Sequence, residues 1–122
     1  MKFPRYLFNI AAVYGIVGLV PQYFLEDKTG RDYPPAITHP EFFYGFTGVA
    51  LAFQILFLII ARDPPRYRLA MLPSAMEKIG FGGAAVALYL QGRLGMPMVA
   101  FGAIDLVFAA LFLLAFRATP AL

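Results

Sequence analysis

The 122-residue chain contains no cysteine, no tryptophan and a single histidine, His39. Without cysteine there is no disulfide, no thiolate metal site and no covalent haem attachment. One histidine rules out a haem held between two histidines of the same chain and any intramembrane His cluster for zinc or copper. No cofactor and no resident metal is therefore expected. Charge is scarce as well. Only 14% of residues are charged while 61% are hydrophobic, and the mean hydropathy is +0.71. A soluble domain carries roughly 25% charge. The net charge of +3 falls at the edges of apolar runs, which is not the pattern of a nucleic-acid surface.

What is present is a set of four apolar stretches, approximately 6–25, 42–61, 69–90 and 97–116. Each is about 20 residues, enough to cross roughly 30 Å of hydrocarbon as a helix. The sequence predicts a single all-α domain over 1–122, an integral membrane bundle of four transmembrane helices. The connectors are an outer loop at 26–41, a loop at 62–68 and a tight turn around Gly92. The paired prolines and the glycine between Glu26 and Thr38 argue against regular structure there. Met1-Lys2-Phe3-Pro4-Arg5 resembles the start of a secretory signal, but bulky residues around Pro21 occupy the place of a cleavage site, so a retained helix is expected.

Orientation follows from the basic residues. Lys2, Arg5, Arg62, Arg66, Arg68 and Arg117 gather at one side, against Lys28, Arg31 and Arg93 at the other. The positive-inside bias then puts both termini of a multi-pass protein in the cytoplasm.

The chemistry-bearing residues are few. Asn9, Gln54, Glu77, Lys78 and Asp105 fall one or two to a helix. At ~1.5 Å of rise per residue, they lie within the inner half or near the midplane of the membrane. Such groups face other helices or water, because hydrocarbon penalises an unpaired charge by at least ~2.5 kcal/mol. Glu77 shares a helical face with Gly80, Phe81 and Ala84, so it is expected to look into the bundle. Lys78 is rotated by about 100° and has a stem long enough to reach the cytoplasmic interface as a snorkelling anchor. The layer has a structural reading, as polar glue between helices in which Glu77 and Asp105 share Lys78 or bond as neutral acids, and a functional one, as proton-exchanging acids or anchors for a lipophilic small molecule.

Small residues mark helix-packing faces: Ala11 and Gly15, Gly48 and Ala52, and Gly80, Gly83, Ala84 and Ala87. The glycine run lacks the strand and spacing of a nucleotide-binding loop. Thr38-His39-Pro40-Glu41 reads as a helix start. His39 is an interfacial residue there, or an external ligand to a cofactor carried by a partner chain.

In size, four-span layout and polar residues within the spans, the chain resembles the DoxX-like small bacterial membrane proteins, some of which accompany quinone-linked redox enzymes. It also resembles small multidrug transporters in length and helix count. It departs from them in the first helix, where only Asn9 stands in place of their proton-coupled acid. No functional residue is carried over from either family. The leading expectation is a non-catalytic accessory or assembly subunit that packs against other membrane subunits or forms a homo-oligomer among membrane lipids. A small transporter or lipophilic-ligand binder is the alternative. A membrane enzyme using Glu77 or Asp105 as acid or base comes third.

Overall fold

The structure is a computed structural model that describes residues 2–122, and all regular structure among them is helical. Helix α1 (Lys2–Leu19) continues through a 3₁₀ turn, Val20–Phe24, where Pro21 ends the α-helical ladder. A short helix, α2 (Glu26–Asp32), follows. Then come α3 (Pro40–Arg62), α4 (Met71–Leu90) and α5 (Met96–Ala118). The connector at 26–41 therefore differs from the expected loop. Seven of its residues make a helix, with Glu26 and Asp27 at its positive end and Arg31 at its negative end, before the prolines stop it.

Among the described residues three helices are long and apolar enough to cross a membrane: Lys2–Phe24, Pro40–Arg62 and Met96–Ala118. Helix α4 matches them in length at 20 residues, but Glu77, Lys78 and its glycines lower its apolar character. Proline opens two of the long helices, Pro40 in α3 and Pro97 in α5, where its missing N–H has no ladder partner to lose. The N-cap of α3 is His39. A 3₁₀ turn, Arg68–Ala70, leads into α4 and leaves Pro73 within the first helical turn.

The four long helices run up, down, up and down. Leu7 and Phe8 of α1, Phe57 and Ile60 of α3, Met71 and Ala75 of α4, and Phe112 and Ala115 of α5 join in one buried core near the termini. Phe8 stacks on Phe112 at 4.3 Å and 18°, and Phe57 meets both rings edge-on at 5.9 and 5.1 Å. Phe112 is fully buried. Both termini consequently lie at one end of the bundle. At that end Arg68 clasps the close of α5: its Nε donates to the carbonyls of Phe116 (3.1 Å) and Thr119 (2.6 Å), and its guanidinium lies 3.7 Å from the Phe116 ring centre.

At the opposite end α4 turns into α5 through Gly92, whose φ of 74° only glycine adopts without strain. The amides of Gly92 and Arg93 donate back to Tyr89 and Leu88 at 3.0 and 2.8 Å, closing a Schellman motif.

Packing is tightest within the pairs α4 with α5 and α1 with α3. A Cβ at Gly82 would stand 2.7 Å from the Gly102 carbonyl oxygen, and one at Gly102 would stand 2.5 Å from the Ala85 Cβ. The two backbones are in contact at this point. Gly102→Ala should therefore cost about 1–3 kcal/mol through overpacking. Gly83→Ala, at a site with nothing within 4 Å, should leave stability unchanged or slightly improved. Reversible unfolding in mixed micelles would compare the two.

Candidate functional site: a buried lysine between two carboxylates

Ser74, Ala75, Lys78, Gly82 and Ala85 recur at intervals of one, three or four, and they are buried on the same side of α4. That side meets α5, so the close approach at Gly82 and Gly102 carries Lys78 onto Asp105, one turn away. Lys78 Nζ lies 3.6 Å from Asp105 Oδ1 and 3.9 Å from Glu77 Oε1, and Lys78 is only 3% exposed. The aromatic rings of Phe57 and Phe108 flank the ammonium with centres at 5.4 and 5.5 Å. Their negative faces suit a cation removed from water. Phe108 in turn packs against Tyr14 of α1, with ring centres 5.6 Å apart.

The two acids thus share Lys78, one of the arrangements expected of the polar layer. Lys78 is the inward member and does not snorkel, while Glu77 sits at the flank with its side chain 17% exposed. The face shared by Glu77, Gly80 and Ala84 is not the one that packs. Gly80, Gly83, Ala84 and Ala87 are all exposed, and nothing lies within 4 Å of a Cβ at Gly80 or Gly83. The reason is the alternation of small residues. Gly82 and Ala85 offer as close an approach as Gly80 and Ala84, and only their stripe also brings the ammonium to Asp105.

Gln54 enters from α3. It is 1% exposed, and its Nε2 donates to the Ala50 carbonyl at 2.8 Å, one turn back on its own helix. Its Oε1 presses on Gly15 of α1, which explains the glycine there, and it has no donor. Glu77 Oε2 is a second buried acceptor without a partner, and Gln54 stands one turn before Phe57, the ring that flanks the Lys78 ammonium. Four of the five expected polar-layer residues thus converge. The fifth, Asn9, is exposed on α1 and lies outside the layer.

The other small-residue positions divide similarly. Ala11 and Gly15 are buried, Gly48 sits under Tyr23 with the hydroxyl 3.3 Å from where a Cβ would be, and Ala52 is exposed. His39 is exposed at the start of α3, its Nδ1 3.1 Å from Glu41 Oε1 and its ring stacked on Phe42 at 4.8 Å. Phe57, Phe108 and Tyr14 are site residues that sequence reasoning missed. Their signal was present, because Phe57 follows Gln54 by three and Phe108 follows Asp105 by three, which puts each ring on the face of its neighbouring polar residue.

Comparison with family models, with curated proteins and with solved structures finds no match to the chain.

Chemically, the layer is an ion pair with a second carboxylate in attendance. Lys78→Met removes the one cation that stands beside these two acids among the described residues. It should cost about 3–5 kcal/mol, the penalty for leaving a buried charge uncompensated. The triple change Lys78→Met, Glu77→Gln, Asp105→Asn should recover most of that loss. Unfolding of both variants in mixed micelles would check the pattern.

Proposed function

We propose that the chain is a non-catalytic, four-span integral membrane protein that serves as an accessory or assembly subunit, packing against another membrane chain or a second copy of itself. The observation that carries this reading is the division of α4 into two small-residue faces. One is consumed by α5; the other, formed by Gly80, Gly83, Ala84 and Ala87, stands open. In a bilayer, association relies on close backbone approach and dispersion, and an open face of this kind is what a further helix needs.

The fourth span is α4. Its 20 residues supply ~30 Å of helix, it packs antiparallel to the apolar α5, and both of its charges find partners inside the bundle. With both termini and the 62–70 connector at one end, the basic residues at that end support a cytoplasmic assignment in a bacterial inner membrane. The layout resembles that of the DoxX-like proteins, and the subunit reading draws on that analogy.

A second reading is favoured by one specific observation. Glu77 Oε2 and Gln54 Oε1 are buried acceptors without donors, as expected of a site that takes a lipophilic hydroxyl or amine between helices.

Two measurements test the proposal. Purification in native nanodiscs should yield a complex larger than one chain, which Gly83→Leu together with Ala84→Leu dissociates while helicity is retained. A monomer that co-purifies with no other chain would contradict the subunit reading. Because the chain lacks cysteine, Thr29→Cys and Pro65→Cys can be labelled singly, and an impermeant maleimide should reach only the first from outside the cell.

A further inference from the structure

At the end of the bundle away from the termini, the 3₁₀ turn, α2 and the start of α3 surround a groove of about 550 Å³. Its charged and aromatic lining is Tyr23, Phe24 and Tyr44 with Glu26, Asp27, Lys28 and Arg31. A second hollow of about 240 Å³ shares Glu26, Asp27 and Arg31 with it. The groove lies where the apolar stretch Lys2–Phe24 gives way to charged residues, the level at which aromatic belts and lipid headgroups meet.

Its wall is ordered by internal contacts. The Tyr44 hydroxyl donates to Glu26 Oε1 at 2.9 Å, and the Tyr23 and Tyr44 rings stack at 6.0 Å and 22°. Lys28 is turned to Asp32 at 2.5 Å, which neutralises both. Asp27 and Arg31 stand one helical turn apart on α2 and form no ion pair among the described residues. The groove thus presents carboxylates at the start of α2 and, four residues (about 6 Å of helical rise) further on, an arginine without an ion-pair partner among the described residues.

We propose that this groove seats the headgroup of a bilayer phospholipid of the ethanolamine type, with its phosphate on Arg31 and its primary ammonium on Glu26 and Asp27. The charge pattern selects this occupant. A guanidinium is a good phosphate partner, and a primary ammonium has three N–H donors for the two carboxylates. A choline group has no N–H to give, and the tyrosine rings stack on one another instead of opening a cage around a quaternary ammonium. A glycerol headgroup leaves the carboxylates without a cation. Phe24, 84% exposed at the groove's edge, supplies apolar contact for the acyl chains. The site is independent of the open face of α4 and of the Lys78 layer.

The test uses the full chain in nanodiscs of equal parts phosphatidylethanolamine, phosphatidylcholine and phosphatidylglycerol, with retained lipids counted by native mass spectrometry after gentle detergent release. The ethanolamine lipid should be enriched roughly five-fold, the discrimination that one partly exposed charge pair supplies. Asp27→Asn with Arg31→Gln should abolish the preference without changing helicity, both side chains being exposed, while Lys2→Gln at the other end should preserve it. Equal retention, a preference for phosphatidylglycerol, or a preference that survives the double substitution would overturn the assignment. So would binding of soluble glycerophosphoethanolamine as tight as that of the intact ethanolamine lipid, since a bilayer source and the acyl contact at Phe24 would then contribute nothing.

Discussion

The ammonium of Lys78, held out of water between Asp105 and Glu77, constrains the molecule more than any other single group. It must be paired, and the pairing dictates which stripe of α4 meets α5. The stripe in turn dictates where side chains must vanish, and Gly82, Ala85 and Gly102 answer that demand. Everything else on α4, including Gly80, Gly83, Ala84 and Ala87, is left on the outside as a consequence. An ion pair of this sort adds little net stability over apolar residues of the same volume, but it penalises every rotation of α4 that would separate the charges. Its role is to specify one rotation of a helix whose small residues alone would tolerate several.

The two ends of the bundle are secured differently. Near the termini the phenylalanines of α1, α3 and α5 fill the core, and Arg68 ties the connector before α4 to the last turn of α5. At the far end small residues predominate, and the polar bond from Tyr44 to Glu26 joins α3 to α2. Arg68 shows how a residue counted only as an orientation charge also acts locally, since its guanidinium satisfies carbonyls that the end of α5 leaves without amide partners.

Apolar run length made the four long helices legible, with Pro40 and Pro97 marking two of their starts. The membership of the polar layer was also largely readable, because Gln54, Glu77, Lys78 and Asp105 are the polar residues deepest in their helices. Rotation was not readable. Helix α4 carries small residues on two faces, so the rule that acids side with small residues selected the wrong one, and it took the position of Asp105 on α5 to decide between them. Asn9 misled for a related reason. Depth along a helix is given by residue count, but facing is given by neighbours, and Asn9 shares the side of α1 that bears the exposed Ile10 and Val13. Helix α2 escaped notice because the prolines that end it dominated the composition of its segment.

The inward position of Lys78 is most directly tested by lysine acylation of the folded chain in lipid nanodiscs, read residue by residue by mass spectrometry. The chain has three lysines, and two of them, Lys2 and Lys28, are exposed. Lys2 and Lys28 should be acylated rapidly, whereas Lys78 should react only once the protein is unfolded. Acylation of Lys78 in the folded protein at the rate of Lys28 would mean that its ammonium reaches the aqueous interface, and would contradict the account.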